Sequence, residues 1–251
     1  MTNRGRRIAT ATGAMLADPG SLGNPSQEIT EALFDPEFWR ARGELKAVTG
    51  GRGSAWFIAS GQREWVLRHG RRGGCIARFL RDGYVWAGED RVRSFAEWRL
   101  LQQMTVWGLP VPKPVAARYQ RAGAFYRCDL ITQRIVGAQP LSAVLTARAL
   151  PEAQWRAVGA VIARLHGACV DHADLNAHNV LIDGAGGVSV IDFDRGRLRR
   201  AAPGRWALGN LRRLRRSLDK ISRELPADRR VTAPAWDWLM AGYESERGRG
   251  A

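Results

Sequence analysis

The sequence predicts an α+β chain in two parts: a β-rich first half with one main helix, and a mainly helical second half. Short apolar runs broken by glycine and proline extend from Leu45 to about Val136, a pattern typical of strands. One helical face, Phe95, Trp98 and Leu101, interrupts them. After Gly137 the apolar positions fall into helical spacing, as in Trp155, Val158, Ile162 and Leu165. The only strand-like pair in that second half is a tight hairpin around Gly184-Ala185-Gly186-Gly187.

Taken in order, residues 1–27 hold Gly, Pro, Ser and Asn with little periodicity and read as a flexible leader. The arginines at 4, 6 and 7 precede only a mildly apolar stretch, short of what a signal peptide needs. Residues 28–136 form the first lobe. Asp35-Pro36 opens a short helix, with Pro in its first turn. Leu45–Thr49, Ser54–Ser60, Glu64–Arg68 and Tyr84–Ala87 read as strands. A helix over Val92–Thr105 ends at Gly108-Leu109-Pro110. Val115–Tyr119 and Phe125–Ile135 pair across a turn at Gly123. Residues 137–251 form the second lobe. One helix starts near Pro151 and stops near Gly167. Val180–Asp183 and Val188–Ile191 make the hairpin. Leu211, Leu214, Leu218, Ile221 and Leu225 mark a further helix, flanked by Arg212, Arg213, Arg215 and Arg216. That helix reads either as a core helix with a solvated basic face or as one lying on a membrane surface.

The chain has 251 residues, of which 45% are hydrophobic. That suits a folded chain with a substantial core and excludes a disordered or membrane-embedded one. No run of eighteen apolar residues occurs. Thirty-nine basic residues against 24 acidic ones give a net charge of +15, which favours an anionic partner. Cys75, Cys128 and Cys169 are scattered, which argues against a disulfide framework or thiolate metal site.

The segment that carries chemistry runs from His172-Ala173-Asp174-Leu175-Asn176-Ala177-His178-Asn179 to Asp192-Phe193-Asp194. The hairpin between them makes the two loops neighbours. Phosphoryl transfer needs a group to orient and deprotonate a hydroxyl, and hard oxygen ligands for a divalent metal on the phosphates. Asp174 suits the catalytic base, and Asn179 with Asp192 suits a Mg²⁺ site. The order H-x-D-L-x-x-x-N, then D-F, is that of the kinase catalytic loop and metal site, so the predicted fold becomes a protein-kinase-like two-lobe fold. ATP is the expected co-substrate. His172 reads as a packing residue, while His178 stays open between a functional role and a solvent-facing or loop-packing one.

In the first lobe, Gly51 and Gly53 sit in Gly50-Gly51-Arg52-Gly53-Ser54 between two strands. They read as a phosphate-covering loop or as a plain hairpin turn. Arg68 stands where the strand lysine of V-A-I-K would be, and Glu97 on the next helix is placed to pair with it. Arg71-Arg72-Gly73-Gly74 is either a phosphate contact or a solvated turn.

From about Gly50 to Ser222 the chain resembles the 3-deoxy-D-manno-octulosonic acid (Kdo) kinases of lipopolysaccharide inner-core synthesis. The resemblance rests on Trp65-Val66-Leu67-Arg68-His69, Arg71-Arg72-Gly73-Gly74, Arg93-Ser94-Phe95 with Glu97, Gly108-Leu109-Pro110-Val111-Pro112, and the two loops above, the second read as Ile191-Asp192-Phe193-Asp194-Arg195-Gly196. It implies transfer of the ATP γ-phosphate to the 4-hydroxyl of a Kdo sugar on lipid A precursor, by a peripheral protein on the cytoplasmic side of the inner membrane. The implied partners are that anionic glycolipid and an anionic membrane surface, with no nucleic acid. Asp194 in place of the glycine of D-F-G, and the missing A-P-E, separate the chain from ordinary protein kinases. The residues alone leave three alternatives: an aminoglycoside- or choline-type phosphotransferase, an atypical serine protein kinase, and a basic membrane- or RNA-binding pseudokinase.

Overall fold

The computed structural model describes residues 5–22, 29–46, 55–70 and 83–249. The chain is α+β and divides into two compact units, 1–106 with 112–134, and 107–111 with 135–251.

The first unit is built on an antiparallel sheet. Its elements in chain order are β1 (Arg6–Ala9), β2 (Gly13–Ala17), α1 (Pro19–Leu22), α2 (Pro36–Ala41), β3 (Leu45–Lys46), β4 (Ala55–Ser60), β5 (Arg63–His69), β6 (Tyr84–Val85), α3 (Arg93–Val106), β7 (Pro114–Ala122) and β8 (Phe125–Gln133). The strand order is β1-β2-β7-β8-β5-β4-β3, and β6 pairs with the early part of β8. Asp35 caps α2 by accepting the Glu37 N–H at 2.9 Å, with Pro36 in the first turn. Gly123 turns β7 into β8 with a φ of 58°. One face of the sheet holds a core of Leu33, Phe34, Trp39, Ile58, Trp65, Leu67, Val115 and Ile131. There Trp39 meets Trp65 edge to face at 5.7 Å, and its indole N–H reaches Leu33 O at 2.8 Å. Helix α3 packs on β7 and β8.

The flexible leader expected over residues 1–27 is corrected for residues 5–22. They supply two strands of the sheet, with β2 aligned on β7 from Gly13↔Gln120 to Ala17↔Ala116. Ala14-Met15-Leu16-Ala17 is a buried apolar run, the form a strand takes when both faces are covered. A Cβ on Gly13 would stand 2.2 Å from Tyr119 O, so this register requires glycine there. Arg7 fastens β1 through two 2.8 Å bonds to Glu89.

The second unit contains β9 (Gln139–Pro140), α4 (Leu141–Ala147), α5 (Glu152–Gly167), β10 (Val170–Asp171), β11 (Val180–Ile182), β12 (Val188–Val190), β13 (Arg197–Leu198), α6 (Arg205–Glu224) and α7 (Ala233–Arg249). Strands β12, β11 and β9 form one small sheet, and β10 with β13 another. Residues 107–111 belong here because Val190 N donates to Pro110 O at 2.9 Å and Arg164 donates to Gly108 O at 2.8 Å.

Helix α5 lies against α7 with a glycine from each at the crossing. A Cβ on Gly159 would meet Leu239 O at 1.9 Å, and one on Gly242 would meet Arg156 O at 2.1 Å. The helix stops at Gly167, as expected, but the glycine is not the left-handed residue that follows it. Gly167 is still helical, and Cys169 takes the left-handed conformation, φ 57°, usual for glycine after a helix. Helix α6 turns Ala207, Leu211, Leu214 and Leu218 inward, which makes it a core helix with its basic side facing out. No helix among the described residues is long and apolar enough to cross a membrane.

Candidate active site

The loop from His172 to Asn179 leaves α5 through β10 and returns through β11, so both its ends are fixed by regular structure. Its centre is His172, 2% exposed. Asp174 N–H donates to His172 Nδ1 at 3.1 Å, and Nε2, 2.9 Å from Ile191 O, is the donor on the other side. Burial pushes the His172 imidazole below its ordinary pKa, which keeps it neutral and in that tautomer. Phe193 packs on the ring at 4.7 Å. One packing histidine thus ties the Asp174 backbone to the strand leading into Asp192-Phe193.

Asn179 is buried, and its Nδ2 donates to Asp174 O at 2.9 Å. Its side-chain oxygen is therefore the atom offered as a ligand. Ile191 N–H donates to Asn179 O at 2.9 Å, which sets Asp192 next to it. Asp192 has a φ of 65°, a conformation that aspartate tolerates better than most residues but at some cost. Strain of this kind concentrates where a side chain must be aimed. Asp174 itself is exposed. Its Oδ2 accepts from Asn176 Nδ2 at 3.2 Å, and Arg213 Nε from α6 stands 4.0 Å from Oδ1.

A second set of residues holds this loop from behind, and sequence reading missed it. Buried Asn210 on α6 accepts the His172 N–H at 3.0 Å and donates to Asp171 Oδ1 at 3.0 Å. Arg199 closes on Asp171 Oδ2 at 2.7 and 2.6 Å. Burial alone would raise the Asp171 pKa; the Asn210 and Arg199 hydrogen bonds outweigh it and hold the carboxyl below its ordinary value. Ser217 Oγ accepts the Ala177 N–H at 3.1 Å. His178, left open above, is exposed, with Nδ1 2.9 Å from Ser142 Oγ of α4.

In the first unit, Arg68 of β5 pairs with Glu97 of α3, whose carboxylate is almost entirely buried. Gly51, Gly53 and the Arg71–Gly74 string lie outside the described residues. Asp174, Asn179 and Asp192 therefore share one frame in the second unit, and Arg68 with Glu97 forms a separate pair in the first. Among the described residues no three His, Cys, Asp or Glu converge as a metal site. Magnesium in phosphoryl transfer does not need such a cluster, because one or two carboxylates with the substrate's phosphates suffice. An amide oxygen beside a carboxylate is a donor set that fits it.

An exposed carboxylate, an amide oxygen and a second carboxylate on one hydrogen-bonded loop are the groups that a phosphoryl-transfer site, such as a kinase's, requires. Residues 36–243 match the Lipopolysaccharide kinase (Kdo/WaaP) family. The chain belongs to that family. It is similar to the 3-deoxy-D-manno-octulosonic acid kinase of Stenotrophomonas maltophilia strain K279a, 45% identical over 220 residues, covering 87% of this chain and 85% of that protein. A protein of the same name from Xylella fastidiosa strain 9a5c is 44% identical, covering 86% and 84%. One from Xanthomonas euvesicatoria pv. vesicatoria strain 85-10 is 45% identical, covering 83% and 81%.

Proposed function

We propose that this protein is an ATP-dependent Kdo kinase that phosphorylates the 4-hydroxyl of a Kdo sugar on lipid A precursor. It would work as a two-lobed, protein-kinase-like enzyme held peripherally on the cytoplasmic side of the inner membrane. What carries the reading is the loop that binds Asp174, Asn179 and Asp192 into one frame, in a member of the lipopolysaccharide kinase family.

In this reading Asp174 accepts the proton of the acceptor hydroxyl as it attacks the γ-phosphorus. Asn176 and Arg213 hold the carboxylate facing the acceptor. Asn179 and Asp192 would hold Mg²⁺, which when bound neutralises charge on the phosphates. Neutral His172 moves no proton; it keeps Asp174 and Asp192 in register. In the first unit, Arg68, oriented by Glu97, would supply the cation for the ATP phosphates. An arginine keeps its charge more firmly than lysine and presents a planar fork to phosphate oxygens.

The test is incubation with ATP, Mg²⁺ and Kdo-lipid A precursor, with the product weighed and the modified hydroxyl located by NMR. One added phosphate at the 4-position is expected. No gain in mass, or a gain that persists in a folded Asp174→Ala variant, overturns the proposal.

A further inference from the structure

We infer that the outward face of α6 is the surface on which this protein docks onto an anionic lipid bilayer. This inference rests on the acceptor being a membrane lipid. It assigns the docking to a defined face of the unit that holds the catalytic loop.

Besides Glu224 at its last position, the exposed positions along α6 are Arg205, Leu208, Arg212, Arg216, Lys220 and Arg223. Their spacing of three and four places them on one side of the helix. Five of the six are cationic and none is acidic. The sixth, Leu208, is 51% exposed. On the neighbouring helices there are exposed arginines paired with acids. On α5, Arg156 is paired with Glu152, and on α7, Arg247 and Arg249 are paired with Glu244 and Glu246. On the flank of α6, Arg215 is paired with Asp219. No ion pair among the described residues involves Arg205, Arg212, Arg216, Lys220 or Arg223.

Such a row works against the helix that bears it. Arg212 with Arg216, and Arg216 with Lys220, are like-charge neighbours at four-residue spacing, which destabilises a helix. Arg205 adds a positive charge at the N-terminal end, where the helix dipole disfavours it. Alternating acids would relieve both effects and keep the face soluble. A cationic row with a leucine in it, and an acid only at the last helical position, suits a surface that is anionic and has an apolar interior just beneath. Nucleic acid would meet the charge but not the leucine, and no aromatic side chain lies in the row for bases to stack on.

The inner flank of the same helix supports the site. Arg213 reaches Asp174, Asn210 holds His172, and Ser217 holds Ala177. A bilayer bound along the outer face therefore lies on the helix that positions the catalytic base.

The experiment is co-sedimentation of the full chain with vesicles of phosphatidylethanolamine and phosphatidylglycerol, against phosphatidylcholine alone, with and without competing tRNA. Each basic residue near an anionic bilayer is worth roughly a fivefold change in partition. The Arg212→Gln, Arg216→Gln double variant should thus bind the anionic vesicles roughly 25-fold less. Leu208→Asp should weaken binding further, and wild type should ignore phosphatidylcholine. Phosphorylation of vesicle-embedded acceptor should fall with binding, while turnover of the same acceptor in nonionic detergent stays at the wild-type rate. Equal vesicle binding by wild type and the double variant overturns the inference, as does tRNA binding that vesicles fail to displace. Charge-dependent vesicle binding by a protein that phosphorylates no form of the acceptor supports the docking face and defeats the kinase assignment instead.

Discussion

Replacing Asn210 with leucine tests whether the catalytic loop depends on the polar frame behind it. Asn210 is 3% exposed and bridges the His172 N–H and Asp171 Oδ1 at 3.0 Å each. Leucine fills much of the same space and makes neither bond. The buried His172 N–H is orphaned, at about 1–3 kcal/mol. Asp171 loses a charge-assisted bond, about 1.5–3 kcal/mol, but keeps Arg199. The sum is about 2.5–6 kcal/mol, large against the 5–15 kcal/mol of a typical domain. Urea unfolding reads the loss. Turnover should fall at least tenfold, because the orphaned amide lies two residues before Asp174, while the KM for ATP changes little. A loss below about 1 kcal/mol with unchanged turnover would refute the reasoning, showing that the frame neither stabilises nor positions the loop.

Three other outcomes are expected. Arg68→Ala should raise the KM for ATP at least tenfold and leave buried Glu97 without its arginine, whereas Arg68→Lys should recover part of the loss; equal kinetics in all three proteins would remove Arg68 from ATP binding. Burial pushes His166 from 6.5 down to about 4. The unfolded chain therefore takes up the proton first as pH falls, so stability is full above about 6.5 and drops by about 3 kcal/mol by pH 4. That part of the pH dependence should vanish in His166→Gln when the two unfolding curves are compared. Gly242→Ala should lower stability by about 1–3 kcal/mol or more, because its methyl meets Arg156 O. Gly209→Ala, on open α6 surface, should raise it by about 1 kcal/mol, and thermal melts of the two variants separate packing from propensity.

The adjacency of the 172–179 and 192–194 loops was readable in the sequence because it is local. Asp174 and Asn179 are five residues apart, and one short hairpin returns Asp192 to them. The Arg68–Glu97 pair was readable from the order of strand and helix, and the structure forms it. The support behind the loop was not. Asp171 meets Arg199 across 28 residues and Asn210 across 39, and no periodicity marks such partners. Strands β1 and β2 were hidden by the glycines and prolines around them, and by apolar residues that do not alternate. Helix α7 was missed for a related reason. Its contact with α5 runs through Gly242 and the backbone, so it lacks the bulky apolar stripe that announced α5 and α6.

The glycine crossing of α5 and α7 also bears on how the chain is made. The ribosome releases α5, the catalytic loop and α6 before α7. Until α7 emerges, the face of α5 around Gly159 has nothing to rest on, and the helix leading into the loop stands open to proteases and chaperones. Because Leu239 and Gly242 are then seated by direct backbone contact, this step of assembly tolerates little error. Changes at this crossing should therefore register in the cell chiefly as less protein, while each surviving molecule works at its ordinary rate.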